Sequence, residues 1–373
     1  MLACRVGFSN GNGPKCTFVP GMRKNVHSGG VHVGRRPCIR GDTRLHTGWE
    51  ANYSSIMDTH SKRPVAIVMG ASRGLGLLMA TELAQRGHDV AICARDAESL
   101  ERAAEQLRVH GGTVLPSTCD VTDADDVEAF VAKVSQELGP IDVAIHVAGV
   151  IQVGPLEAVT REHFEASINI MLWGPINMAL AVLPSMRERR SGRIGVVTSI
   201  GGKLSAPRLL PYSTAKFGAV GFTEGLSAEL AGSGVTATTL VPGLMRTGSH
   251  GRAQFFGDAE KQYAWFGPAA SLPLLSMDAE RAARLMVDGV LKGKPVKLVS
   301  ALSHVATRAH GLAPNLTVRL NQALSLLLPR GTSSETVEGV DAARNLRPDG
   351  IVSRLTKLGD RAAARFNEHR RDS

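Results

Sequence analysis

The sequence predicts an α/β fold, a doubly wound parallel sheet with helices on both faces, on three observations. Short apolar runs of buried-strand type alternate with segments of helical spacing from Pro64 onward. A glycine-rich turn joins the first such run to the first such helix. The 40 glycines among 373 residues suit a chain that turns tightly many times between strand and helix. A helix between two strands returns the chain to the edge it left, so this alternation implies parallel pairing.

The first 62 residues stand apart. They are rich in Gly, Arg, Asn and Ser without a sustained period of 2 or 3.6, which predicts a disordered leader. Met1-Leu2-Ala3-Cys4-Arg5 opens no apolar core long enough for a signal peptide. The Arg-rich, acid-poor composition fits a transit peptide, and an over-long gene start with Met57 as initiator explains it more simply. Val65-Ala66-Ile67-Val68-Met69 then reads as a buried strand, 70–76 as the turn and 77–86 as a helix. Strand 89–94, helix 97–109 and strand 113–117 repeat the unit. An Asp-capped helix over 123–138, a strand over 141–147, a long helix over 161–186 and a strand over 193–198 follow. The next helix carries Tyr212 and Lys216 and runs to about Leu230, and strand 235–241 ends at Pro242-Gly243. Trp265 and Phe266 fall in a loop, 279–290 reads as a helix and 296–299 as the last strand.

Charge and cysteines exclude several classes of function. Residues 1–63 hold ten Lys/Arg against three Asp/Glu and so +7 of the net +9, which leaves the main domain nearly neutral and unsuited to nucleic acid. The five cysteines include no C-x-x-C pair, so no metal site is expected. Their odd number without a secretory signal points to reduced thiols in the cytoplasm. No apolar run free of Pro, Arg or Ser reaches the roughly 18–20 residues of a membrane span.

Two motifs carry chemistry. In Pro211-Tyr212-Ser213-Thr214-Ala215-Lys216 the phenol and the ammonium lie one helical turn apart. A nearby cation favours the phenolate, lowering a value ordinarily near 10 and preparing Tyr212 to exchange a proton with an alcohol or carbonyl. The turn Gly70-Ala71-Ser72-Arg73-Gly74-Leu75-Gly76 lies between strand and helix, where glycines admit a pyrophosphate and the helix N-terminus offers amides and partial positive charge.

These residues, in this order, resemble the short-chain dehydrogenase/reductase family, a Rossmann fold, over about residues 64–300. The spacing Gly70-x-x-x-Gly74-x-Gly76 is that of its single-domain oxidoreductases. Cys119-Asp120-Val121, Asn169, Ser199, and Tyr212 with Lys216 fall at further family positions. The resemblance implies that Ser199 binds the substrate oxygen, Tyr212 exchanges the proton, Lys216 holds the nicotinamide ribose and lowers the Tyr212 pKa, and Asn169 holds a relay water. It assigns the adenine to Asp120 and the Val121 amide, and further cofactor contacts to Gly70, Ser72, Arg73, Gly74, Leu75, Gly76, Ala148, Gly149, Pro242, Gly243 and Thr247. One departure is plain: the family's Asn-Asn-Ala-Gly is here His146-Val147-Ala148-Gly149, so His146 must find another partner and is expected to be a buried structural histidine. Where NAD enzymes carry an acid at the end of the second strand this chain has Arg95, which with Arg73 suits a 2′-phosphate and favours NADP(H) over NAD(H).

The expected organisation is a leader over 1–62, an NADP-binding catalytic domain over 63–300 and a helical extension over 301–373. Leu316, Leu320, Ala323, Leu324 and Leu327 share one helical face, expected to pack on the domain. Ile351, Leu355, Leu358, Ala362 and Phe366 form a second, narrower stripe flanked by Arg354, Lys357, Arg361, Arg365, Arg370 and Arg371, expected to be held more loosely beyond a linker over 329–349. Membrane-surface contact by that basic helix is the less favoured use; covering the cleft or a second subunit comes first. The expected function is oxidoreduction of a carbonyl or secondary alcohol by a homo-oligomer. Leu204, Leu209, Leu210, Leu244, Met245, Trp265 and Phe266 suggest an apolar substrate such as a steroid, retinoid, fatty-acyl or polyketide intermediate. The alternative is a non-catalytic NADP-binding regulator or scaffold acting through the extension.

Overall fold

Strand β1 (Val65–Met69) is buried from end to end, and its side chains divide by parity: Ala66 and Val68 enter one core, Val65, Ile67 and Met69 the other. That is the pattern of a central strand covered on both faces. The computed structural model describes residues 63–273, 276–344, 346 and 350–368, all in the compact unit Ser61–Ser373. The readings made for 1–62, Met57 included, lie outside the described residues. Helix α1 (Gly74–Gln85), β2 (Asp89–Ala94), α2 (Ala97–Arg108), β3 (Val114–Thr118), α3 (Ala124–Glu137) and β4 (Ile141–His146) continue the alternation. Asp96 and Asp123 start α2 and α3 by accepting from Ser99 N at 2.8 Å and Asp125 N at 2.9 Å.

The short β5 (Gln152–Val153) leads to α4 (Arg161–Ile168), a five-residue π turn (Asn169–Trp173) and α5 (Gly174–Glu188). β6 (Gly192–Val197), α6 (Leu210–Glu229), β7 (Val235–Val241) and β8 (Leu244–Arg246) follow, then β9 (Gln254–Phe255), α7 (Ala259–Ser271), β10 (Ser276–Asp278), α8 (Ala279–Leu291) and β11 (Val296–Leu298). Seven strands form one parallel sheet in the order β3-β2-β1-β4-β6-β7-β11. Helices α1, α2 and α8 supply the core on one face, α3 and α5 that on the other. Strand order reverses between β1 and β4, which opens a crevice at their carboxyl ends.

Two internal expectations change. Trp265 and Phe266 lie on a helix, α7, not in a loop: Asp258 caps it through Lys261 N at 3.2 Å, and Tyr263, Phe266 and Ala270 bury one face against Phe255 and Val153. The long helix is interrupted at its centre. Pro175 has no N–H for the carbonyl four residues back, and Gly174 N bonds instead to Asn169 O, five back, which inserts one extra residue into the turn. By length and composition the stretch Arg161–Glu188 is also apolar enough to cross a membrane, contrary to the expectation of no such run; here Met178, Val182 and Met186 bury its apolar surface in the core.

The C-terminal region reverses the expected roles of its two stripes. Helices α9 (Ala301–Leu312) and α10 (Pro314–Leu327) form a hairpin whose stripe stays exposed, its leucines from 46% at Leu324 to 82% at Leu327. It is fastened through polar groups: Asn321 Nδ2 donates to Ser205 O at 2.7 Å, and Arg208 Nη2 to Ser325 O at 3.2 Å and Leu328 O at 3.0 Å. The expected linker carries β12 (Val337–Glu338), paired antiparallel with β9, and the single turn α11 (Gly339–Ala342). The basic helix α12 (Ile351–Arg365) packs firmly on α7 through Thr356, Gly359 and Ala363, one position round from the apolar stripe. Small residues decide this, because they let the backbones approach where a leucine stripe would hold them apart.

The same substitution should therefore act oppositely at two glycines. A Cβ at Gly359 would stand 2.6 Å from His250 Cε1 and closer still to the buried Ser271, whereas one at Gly311 meets nothing within 4 Å. Gly359→Ala should cost about 1–3 kcal/mol, while Gly311→Ala on α9 should add up to about 1 kcal/mol. Denaturant titration of both variants checks the signs.

Candidate active site

The crevice is a cavity of about 690 Å³ lined along one side by the glycine turn and along the other by α6 and α7. At the turn, Gly70 has φ +87, and a Cβ there would lie 2.5 Å from Ala148 N. Only glycine lets β1 and β4 close to this distance. Gly76 is equally confined beneath Gly70 O, so α1 starts tightly against the strand. Ser72, Arg73, Leu75, Arg95, Asp120, Val121, Ala148, Gly149, Pro242, Gly243 and Thr247 all line the cavity with Gly70 and Gly76. The turn, the apolar bed and the cationic rim fit a nicotinamide dinucleotide, with Gly70 and Gly76 letting strand and helix close up at the floor of the crevice. Asp120 is partly engaged, its Oδ1 accepting from Thr122 N at 3.0 Å and Thr122 Oγ1 at 2.9 Å.

At the other end Ser199, just past β6, and Tyr212 and Lys216, on α6, converge. Ser199 Oγ accepts from Gly201 N at 3.0 Å, and Ser199 and Tyr212 flank Gly201. With a lone pair held by the amide, the Ser199 proton stays free to donate. Lys216 is 4% exposed, its Nζ donating to Val197 O at 2.7 Å and lying 5.9 Å from the Tyr212 ring centre. Burial pulls the ammonium down to about 7. For Tyr212 burial also dominates and pushes the phenol up. Burial thus outweighs the lowering by Ser199, and the net direction is up.

Asn169 is not brought to this centre. It is exposed and contributes nothing to the cavity wall, whereas Ile170 and Met171 do. The extra residue of the π turn rotates the register, and the Met171 sulfur occupies the ground beside Gly149 near Lys216. His146 is buried as expected, at 1% exposure, but finds no partner: its Nε2 is unsatisfied among the described residues and abuts Gly174. Burial first and Lys216 second hold it down to about 3, a neutral imidazole. Leu204, Leu209, Leu244, Met245, Trp265 and Phe266 line the cavity; Leu210 does not. Ile151, Ala269, Leu302 and Ala306 join them without any sequence signal, since α9 swings over the cleft.

The residue that sequence reasoning missed altogether is Glu368. Phe366, Asn367 and Glu368 lie across the glycine turn, with Gly74 N donating to Phe366 O at 2.8 Å and Asn367 Nδ2 to Ser72 O at 2.7 Å. Glu368 Oε2 is 3.4 Å from Arg73 Nε inside the cavity wall. Burial pushes its carboxyl from 4.5 up to about 7, with Arg73, Arg252 and His250 drawing it back. A carboxyl raised in the folded state stabilises below its unfolded value, and that contribution is lost as pH rises from 4.5 through 7. Glu368→Gln stays neutral throughout. The cofactor-free variant should melt with the wild type near pH 4.5, and above it by several degrees at about pH 8, a difference on the order of 3 kcal/mol. Coincident melting at both ends would show that this carboxyl is solvated.

The short chain dehydrogenase family profile matches residues 64–254. Oxidoreductase BOA17 of Botryotinia fuckeliana is 30% identical over 246 residues, 65% of this chain and 83% of that protein. The 3-oxoacyl acyl-carrier-protein reductase FabG of Staphylococcus aureus is 32% identical over 181 residues, 48% of this chain and 74% of its own. Among solved structures, a variant of actinorhodin polyketide ketoreductase with NADPH superposes with a TM-score of 0.57 at 28% identity, over 65% of this chain and 97% of that one. A short-chain dehydrogenase from Streptomyces avermitilis does so with 0.61 at 26%, over 72% and 98%. The glycine turn, the seven-stranded parallel sheet and the Ser199, Tyr212 and Lys216 cluster agree with these likenesses, and the chain belongs to the short-chain dehydrogenase family of NAD(P)-dependent oxidoreductases acting on C=O and CH–OH groups.

Proposed function

We propose that this protein is an NADP(H)-dependent oxidoreductase of a carbonyl or secondary alcohol on an apolar small molecule. The observation that carries the reading is that Ser199 and Tyr212 line one apolar cavity, with Lys216 buried one turn along. The nicotinamide supplies or accepts the hydride. Ser199, fixed by the Gly201 amide, donates to the substrate oxygen and stabilises charge developing there. Tyr212 gives its proton to that oxygen in reduction and takes it in oxidation. Its raised pKa keeps the phenol protonated for the acid role, and Lys216 lies buried one turn along. Asn169 is exposed and lines no part of the cavity, which supports a path of proton exchange with solvent that runs without its side chain.

Arg95 is exposed at the cavity rim and meets no acid among the described residues, which supports a 2′-phosphate partner. Trp265, Phe266, Leu204, Leu209 and Leu302 support an apolar substrate, of the acyl or polyketide kind that several relatives reduce. Leu180 on α5 and Phe217 on α6 are exposed and support self-association, as expected of a homo-oligomer.

Tyr212→Phe should retain NADPH binding and lose about 10²- to 10⁴-fold in turnover against a panel of apolar ketones, while Asn169→Ala should lose less than about threefold. Near-normal turnover in Tyr212→Phe would remove the proposed mechanism, and a large loss in Asn169→Ala would put that residue back in the relay. Arg95→Asp should weaken NADPH about ten- to hundredfold and leave NADH unchanged or tighter, read by nucleotide fluorescence. Equal affinities before and after would mean that Arg95 makes no cofactor contact.

A further inference from the structure

We propose that Glu368 is a specificity-determining residue of the cofactor cleft: its carboxylate opposes a 2′-phosphate on the adenosine ribose and accepts from a 2′-hydroxyl, narrowing the preference that Arg73 and Arg95 create. The proposal rests on reading the cleft as a nicotinamide-dinucleotide site.

The tail that carries Glu368 is tied to both walls of the adenosine end. On the glycine-turn side, Gly74 N donates to Phe366 O at 2.8 Å and Asn367 Nδ2 to Ser72 O at 2.7 Å. On the α2 side, Asn367 Nδ2 also donates to Ser99 O at 3.2 Å, and Arg102 Nε to Asn367 Oδ1 at 3.4 Å. Arg252 Nε closes the clamp by donating to Glu368 O at 3.1 Å. Asn367 takes φ +60, a conformation Asn tolerates better than most residues, and so turns the chain inward. The outcome is a side chain 8% exposed that shares the cavity wall with Arg73, Arg95 and Asp96 and fills the space a Cβ at Gly74 would occupy.

That position governs what the adenosine end accepts. The acid that normally reads ribose hydroxyls at the end of β2 is missing, and Arg95 stands there. Glu368 brings a carboxylate to the same region from the opposite end of the chain. Arg73 is already engaged by it at 3.4 Å, so a 2′-phosphate must share or displace that partner and meets like charge. A 2′-hydroxyl donates to the carboxylate without this conflict. Burial holds Glu368 up to about 7, so near neutrality it still carries a substantial fraction of its charge.

The test is to titrate the full-length wild type, Glu368→Gln and Glu368→Ala separately with NADPH and NADH by nucleotide fluorescence, with a thermal melt of each to verify folding. The ratio Kd(NADH)/Kd(NADPH) should rise about tenfold in both variants, the effect of removing one charge from a phosphate site. A rise below about threefold, or a fall, overturns the proposal. Both nucleotides bound with an unchanged ratio sink this role of Glu368 alone. A wild type that binds neither sinks the dinucleotide reading and the proposal with it. Glu368→Ala covers the case in which the amide of Glu368→Gln forms a replacement bond to Arg73 or the turn.

Discussion

The close approach of β1 and β4 at their carboxyl ends is the constraint on which the rest depends. Met69 O accepts from both Val147 N at 2.9 Å and Ala148 N at 3.0 Å, and Cys93 O accepts from Gly70 N at 2.9 Å and Ala71 N at 3.2 Å. One strand end thus ties down its neighbours on both sides, and a single missing Cβ at Gly70 permits it. Because the strand order reverses at this junction, the same contact that closes the sheet opens the crevice. Fold and site share one cause.

Departures from the family pattern cluster around the neighbouring helix. His146 stands at the end of β4 with an unsatisfied Nε2, and Gly174 gives it room by carrying no side chain. Pro175 follows directly, removes a ladder bond and brings in the π turn. An orphaned buried nitrogen costs about 1–3 kcal/mol, so the junction is locally weaker than an amide pair would make it. The two changes meet at one place: along the turn Asn169 is exposed while Met171 is buried and lines the cavity.

The C-terminal region works by surface shape more than by hydrophobic content. Its leucine-rich hairpin is nearly all exposed and held by a few bonds to carbonyls, while the charged α12 is locked in by glycine and alanine contacts and by His250 Nε2 to Asp360 Oδ1 at 3.0 Å and Arg365 to Glu280 at 2.7 Å. Firm docking of α12 delivers residues 366–368 to the glycine turn. The wall of the cleft beside the glycine turn is thereby built from residues far apart in the described chain, Arg73 and Glu368 among them.

Strand and helix order, the parallel sheet, the glycine turn and the Tyr212 and Lys216 pair were legible in the sequence, because each rests on short-range periodicity or a fixed spacing along one element; Ser199 was legible only through the resemblance to the family. The strands matched to within a residue or so, as apolar runs bounded by Gly, Asp and Pro leave little freedom. What the sequence could not determine depended on distance in space. Helix α7 hid behind Pro268, the register of Asn169 turned on a ladder bond that Pro175 could not make, and the choice between two amphipathic helices was decided by backbone clearance at Gly359 and Gly248. Glu368 carries no motif at all. Its place beside Arg73 exists only because a helix about 280 to 290 residues further along the chain docks on α7, and no local pattern encodes which surface a tail will meet.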